Sequence, residues 1–307
     1  MRDFAGIPQG LWSRAHFRFN LIQKGPSMRL LTLPCLVFML VACGGENKTP
    51  ADRDLRLYAL DCGSIETTDM AAFDRDGVYY RGQPGHLVDP CYLIRHPKGD
   101  LLWDAGLPDT LVGTDGVGAE PFHMTRSKTL KAQLAEIGLT PEDIDYLALS
   151  HSHVDHAGNA NDFADATWIV DSAEREHMFS DEGRADTETF AVYSALENAE
   201  KKVYTDDYDV FGDGRVRIIR TPGHTPGHSS LLLKLERAGA VFLTGDLYHF
   251  TETRARRTVP VFNTDPEATL RSMDKFEALA KEENARVVIQ HEPADFAALP
   301  VFPAFLD

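Results

Sequence analysis

Residues 150–159 read SHSHVDHAGN, and within them three imidazoles and a carboxylate crowd into the six positions from His151 to His156. Side chains of this kind are costly to gather inside a fold unless a cation holds them together. The run Tyr146-Leu-Ala-Leu-Ser150 just before them reads as a buried strand. The cluster therefore occupies the turn that leaves a strand's C-terminal end, where α/β folds place their ligands. His151-x-His153 in such a turn aims two nitrogens at one ion. Asp155 and His156, beyond the bend, face a second.

Three further strand ends carry the same chemistry. Thr221-Pro-Gly-His224-Thr-Pro-Gly-His228 follows an apolar run at 216–220, Thr244-Gly-Asp246 follows one at 241–244, and His291 follows one at 287–290. Other runs that read as strands are 55–60, 91–95, 101–104, 146–150, 167–170 and 230–235. Helical patterns lie at 127–137, 171–179, 188–199 and 266–283. Strands and helices alternate, which predicts an α/β architecture in one domain over 54–307. The stretch 67–89 has no clear period and several aromatic residues (Phe73, Tyr79, Tyr80). It reads either as a surface loop or as a flap over a site.

The N-terminal part is not expected to be fold. Residues 1–27 carry no hydrophobic period and read as an upstream extension. From Met28 a single Arg29 precedes an apolar run from Leu30 to Ala42. That run falls short of the roughly 20 residues a bilayer span needs, and it fits the core of a secretory signal. Leu40-Val41-Ala42-Cys43 resembles the lipobox of bacterial lipoproteins, with Cys43 as the lipid site. Residues 1–42 are then extension and signal peptide, 43–53 a polar tether, and the mature chain is exported to the periplasm on a lipid anchor. Cys62 and Cys91 remain; they form either a disulfide, as an oxidising compartment allows, or two buried thiols. The chain has 47 acidic against 31 basic residues, a net charge of −16. Such a surface repels phosphate backbones, so nucleic acid is not an expected partner.

Taken together, HxHxDH, a His in a Gly-His-Thr turn, Gly-Asp and a final His resemble the metallo-β-lactamase superfamily. The resemblance implies a four-layer αββα sandwich and two divalent metal ions. It implies that His151, His153 and His224 hold the first ion, that Asp155, His156 and His291 hold the second, and that Asp246 bridges both. His228 is expected to brace its turn, and Asp104, in Trp103-Asp-Ala-Gly106, to buttress the site. His16, His86, His96, His123 and His177 stand alone and read as surface or packing residues. Paired divalent ions lower the pKa of a shared water, so hydrolysis is the expected reaction class. Ligands without thiolate suit zinc and also admit manganese, iron or cobalt.

Within the superfamily, Asp246 supplies a seventh ligand that two-metal β-lactamases lack. The short tail after His291 leaves no room for the helical domain with which glyoxalase II binds glutathione, and no basic extension of the RNA-processing kind is seen. What remains resembles the N-acyl-homoserine lactonase family. The likeness runs through Cys91-Tyr-Leu-Ile, Leu102-Trp-Asp-Ala-Gly-Leu-Pro-Asp109, the metal motifs, Val259-Pro-Val-Phe-Asn-Thr-Asp-Pro266 and Val301-Phe-Pro-Ala-Phe305. It implies opening of an acyl-homoserine lactone ring, with Asp155 or Asp246 moving the proton. That family places a tyrosine three residues after the bridging Asp. Here the position is His249 and the tyrosine is Tyr248. Tyr248 is the expected polar contact to substrate, with His249 the second choice. Val154 and Phe250 are expected to line an apolar acyl pocket. Rival readings keep the site and change the substrate to another lactone, an aryl ester or a phosphodiester, or make the chain a metal-binding lipoprotein without activity. The sequence leaves acyl length, native metal and homodimer formation open.

Overall fold

Most of the long strands in this chain are apolar on both faces, and such strands must be covered on both sides. The computed structural model describes residues 54–307; the signal, Cys43 and the 43–53 tether lie outside the described residues. The first sheet comprises β1 (Arg56–Thr67), β2 (Gly85–His96), β3 (Gly99–Trp103), β4 (Phe122–Thr125), β5 (Tyr146–Ala148), β6 (Thr167–Asp171) and β7 (Lys201–Tyr204), in the order β4-β1-β2-β3-β5-β6-β7. The second comprises β8 (Tyr208–Asp209), β9 (Val216–Arg220), β10 (Ser229–Leu235), β11 (Gly239–Leu243) and β12 (Arg286–Val288), in the order β12-β11-β10-β9-β8.

Alternation along each strand splits its side chains between two cores. Leu57, Tyr92, Ile94, Leu101, Trp103 and Ile169 meet Val216, Ile218, Leu231, Leu233 and Leu243 between the sheets. On the outer face of the first sheet, Leu60, Leu93, Leu102, Leu147 and Trp168 pack under the helix Leu130–Glu136 and its neighbours. On the outer face of the second, Ile219, Leu232 and Phe242 receive Met273, Phe276 and Ala280 of the helix Pro266–Glu282. Those helical positions recur at intervals of three and four, the signature of one buried stripe. The order is therefore helix, sheet, sheet, helix: the αββα sandwich.

The differences from the sequence reading sit at strand ends and edges. β1 runs on to Thr67 past a bulge between Asp61 and Ser64, where the alternation breaks. β3 stops at Trp103 because Asp104 turns into the left-handed region at φ 62°. The edge strands β4 and β7 have no continuous apolar run to betray them. Cys62 and Cys91, on neighbouring strands, are joined as a disulfide. The segment 67–89 divides: its last residues enter β2, and the rest is the flap that the alternative reading offered, with Phe73 turned into the site described next.

Candidate metal centre

Four strands end on the same rim, and the turns that follow deliver the seven residues His151, His153, Asp155, His156, His224, Asp246 and His291 to one place. The first turn leaves β5 and runs into a short helix, Val154–Ala157, that carries Asp155 and His156. Asp104 holds it from below. Its Oδ1 accepts the Ser150 N–H at 2.6 Å, and its Oδ2 lies 3.1 Å from His156 Nδ1. The remaining nitrogen of His156, Nε2, is thereby pointed inwards. The same device recurs around the rim. Asn263 Oδ1 lies 2.8 Å from His224 Nδ1, and the Val88 carbonyl lies 2.8 Å from His291 Nδ1. In each case one ring nitrogen is held by a fixed oxygen and the other is thereby turned to the interior.

The inward atoms fall into two groups. In the first, His151 Nε2 is 2.9 Å from His153 Nδ1, which is 3.0 Å from His224 Nε2. Nitrogens bound to one tetrahedral cation at 2.0–2.1 Å would lie about 3.3 Å apart, so the spacing suits a shared ion. In the second, Asp155 Oδ2 is 3.8 Å from both His156 Nε2 and His291 Nε2. Asp246 divides itself between them. Its Oδ1 lies 3.2 Å from His156 and 3.0 Å from His291, while its Oδ2 lies 3.3 Å from His224 and 3.7 Å from His151.

Electrostatics agree with that division. Burial, then neighbouring imidazoles, hold His151 and His153 well below the usual histidine range. Burial also pulls on His156 and His291, but the Asp246 charge and other carboxylates outweigh it. His156 is held well above the ordinary value, and His291 is pushed up to about 9. Burial disfavours charge on Asp246, yet the surrounding imidazoles hold its carboxyl well below the usual range. His156 Nε2 and Asp246 Oδ1 are buried 3.2 Å apart without forming a well-directed hydrogen bond. Buried polar atoms left unpaired and aimed at a common point are what a cation would satisfy. The donor set fits two divalent ions.

His228 braces rather than faces the cluster. Burial lowers its pKa to about 3, so the ring is neutral. Nδ1 donates to the Thr221 carbonyl at 2.9 Å, and Nε2 accepts the Asp246 N–H at 2.8 Å. Gly245, at φ 53°, makes that contact possible: a Cβ there would sit 2.7 Å from His228 Nε2.

The expectation for Tyr248 is corrected. Its side chain packs against Phe276, and its hydroxyl donates to Glu277 Oε1 at 3.0 Å, away from the cluster. His249 takes the inward position, with Nε2 3.1 Å from Asp246 Oδ2. Burial lowers it to about 4, so it too is neutral. The inward face is closed by Ile65, Phe73, Leu87, Phe122 and Phe262 around a cavity of about 20 Å³, room for a water. Val154 and Phe250, expected to line an acyl pocket, belong to the same apolar cluster but are not among the residues that line this cavity. Of the lone histidines, His86 pairs with Glu66 and the buried His96 with Asp213.

Sequence reasoning missed Glu174. Only 2% exposed, it accepts the Ser152 N–H at 2.8 Å on one oxygen, and the Thr225 hydroxyl at 2.7 Å and Gly227 N–H at 2.9 Å on the other. It ties the 151–156 turn to the His224 turn. In the sequence it is one more acid on a charged helix. Asn263 and the Val88 carbonyl were equally unmarked as histidine partners.

Comparison with known proteins gives consistent results. The family model described as the metallo-beta-lactamase superfamily matches residues 86–291. The N-acyl homoserine lactonase AttM of Azorhizobium caulinodans is 30% identical over 268 residues, 83% of this chain and 99% of that protein. The N-acyl homoserine lactonase AiiA of Bacillus thuringiensis subsp. kurstaki is 30% identical over 261 residues, 82% of this chain and 98% of that one. A solved N-acyl homoserine lactone hydrolase, with N-hexanoyl-L-homoserine bound at its catalytic metal center, superposes with a TM-score of 0.68 at 27% identity, covering 81% of this chain and 98% of its own.

Proposed function

Because the chain belongs to the metallo-β-lactamase superfamily and to its N-acyl homoserine lactonases, we propose that it opens the lactone ring of N-acyl homoserine lactones at a dinuclear metal centre. His151, His153 and His224 would hold one ion and Asp155, His156 and His291 the other, with Asp246 placed to serve both; zinc suits this donor set. The observation that carries the reading is the division of Asp246, one oxygen towards each group of nitrogens. Bound there, two divalent cations supply a lowered pKa for a water and polarisation of the ester carbonyl.

The chain's own residues do the rest. His249 is neutral, and its Nε2, 3.1 Å from Asp246 Oδ2, faces the cluster, where it donates to the substrate's carbonyl or ring oxygen. Asp155, nearly buried, takes a proton from the water and returns it to the ring oxygen as the C–O bond breaks. One water is consumed and one hydroxy acid formed. Phe73, Phe122 and Phe262 exclude bulk water and offer an apolar wall to an acyl chain. A cavity of about 20 Å³ does not admit that chain, so the flap moves to seat it. Bonds that hold the flap include Val261 N–H to the Ala72 carbonyl, Arg75 N–H to the Val259 carbonyl and Thr68 N–H to the Pro121 carbonyl, each 2.9 Å, and the Thr68 hydroxyl to Glu120 Oε2 at 2.8 Å.

Steady-state kinetics of ring opening on a panel of acyl lengths test this. Long-chain acyl homoserine lactones are turned over, whereas inertness towards every lactone with good phosphodiester cleavage would transfer the site to the rival substrate class. In the same assay His249→Ala lowers kcat/KM by about 10²-fold, the usual cost of a lost transition-state donor. Tyr248→Phe leaves it nearly unchanged. The reverse ranking would restore Tyr248 to the site.

We place the mature chain outside the cytoplasm on a lipid at Cys43. The support is the pattern at 30–43 and the buried Cys62–Cys91 disulfide, a bond that persists in oxidising compartments. Metabolic labelling with a fatty-acid analogue marks the chain and is lost in Cys43→Ala; an unlabelled native chain removes the anchor.

A further inference from the structure

We propose that the Cys62–Cys91 disulfide is a positioning element for the Asp155–His156–His291 half of the centre, acting through the 104–107 turn. The inference rests on the two-ion reading above and names a part of the molecule that stands outside the ligand set.

Both cysteines are fully buried, on neighbouring strands and on the face turned away from the second sheet. The turn after β3 lies directly on them. Gly106 is at φ 63°, and a Cβ there would be 2.3 Å from Cys62 Cβ and 2.9 Å from Cys91 Sγ. No side chain fits between the turn and the bridge, so the backbone rests on the sulfurs. Leu107 N–H fastens the same turn to Cys62 O at 3.2 Å and to Asp89 Oδ2 at 2.9 Å.

The opposite side of this turn carries the second group of ligands. Ala105 N–H donates to the His156 carbonyl at 2.7 Å, and the Gly106 carbonyl accepts the Gly158 N–H at 2.8 Å. Asp104 Oδ2 orients the His156 ring, 3.1 Å from Nδ1. Asn159, three residues past His156, donates through Nδ2 to the carbonyls of Ala105 at 2.6 Å and Leu107 at 2.8 Å. The 104–107 turn is thus a rigid spacer with the disulfide as its floor and the Val154–Ala157 helix as its load. The first group is reached more remotely, through the Ser150 N–H on Asp104 Oδ1. Its outer contacts are Asn263 and Ser150 Oγ, the latter shared with His156 Nδ1 at 3.1 Å, and Glu174 grips the loops on either side.

Removing the bridge takes away the floor, and inserting a methyl group at Gly106 wedges the turn off an intact floor. Both displace His156 and Asp155 with respect to His291, while His151, His153 and His224 keep their places. The expected result is a split in metal affinity. Metal-free protein is titrated with cobalt(II), followed by its visible absorption, and ion content is measured after dialysis. The unaltered protein loads two ions. Cys62→Ala/Cys91→Ala and Gly106→Ala each load one ion with native affinity and the other with affinity weakened roughly tenfold or more, the usual effect of disturbing what orients a ligand. Circular dichroism establishes that the variants are folded. If the double cysteine variant does not fold, Gly106→Ala decides by the same titration.

Two ions held with native affinity in the variants would overturn the proposal. Equal weakening of both would also overturn it, since the bridge would then be a general staple. Failure of the unaltered protein to load two ions would be a failure of the dinuclear reading itself.

Discussion

Asp246→Asn is expected to lose on the order of 10³-fold in kcat/KM for acyl homoserine lactones, about 4 kcal/mol of transition-state stabilisation. It is also expected to retain fewer than two ions. The side chain is nearly isosteric, so packing survives; what changes is charge and donor count. Asp246 offers Oδ1 to His156 and His291 and Oδ2 to His224 and His151, all within 3.7 Å. An amide keeps one oxygen and turns an NH₂ group towards one of the two sets of nitrogens. It also removes a negative charge that the surrounding imidazoles hold firmly ionised. Kinetics paired with ion content check this. A folded Asn variant with two ions and activity within tenfold of native would show that the carboxylate does not bridge.

Metal removal has an effect of similar size on activity and a second one on stability. In the first group His151 Nε2 and His153 Nδ1 lie 2.9 Å apart, and His153 Nδ1 and His224 Nε2 3.0 Å apart. Buried nitrogens at such spacing have too few protons to satisfy one another. An ion present at 1,000 times its Kd stabilises the folded chain by about 4 kcal/mol. Stripping one such ion then lowers Tm by about 8–16 °C for a chain of this size. Activity falls to background and returns on addition of zinc. Because Asp246 holds His291 up to about 9 in the ion-free site, reloading at neutral pH releases protons. Scanning calorimetry before and after chelation, with a pH-stat trace during reloading, checks all three. An unchanged Tm would mean that the ions contribute nothing to the fold.

The sequence carried the site further than it carried the details around it. His151, His153, Asp155, His156, His224, Asp246 and His291 were legible because each lies just past an apolar strand, and strand ends in such a fold share one rim. The helix at 266–283 was legible because a 17-residue stripe with Pro at its start has a strong period. The choice between Tyr248 and His249 was not. Gly245–Leu247 forms a 3₁₀ turn. Beyond it the chain is extended, so neighbouring side chains point to opposite sides, and His249 is the one that faces Asp246. Tyr248, extended at φ −139° and ψ 137°, turns to the opposite side, where Glu277 receives it. Nothing local in Thr244–Phe250 specifies that turn type. Glu174 was hidden for a different reason. Its partners Thr225 and Gly227 lie about fifty residues away, and only the tertiary structure makes the acid a hinge pin between two turns.

The most direct test is to titrate metal-free protein with zinc while following acid release from a long-chain acyl homoserine lactone. Seven side chains gathered from four strand ends around two cations predict a rate that climbs until two equivalents have been added and then stays flat. A rate already maximal at one equivalent, or no acid release at any zinc content in folded protein, would contradict the dinuclear lactonase.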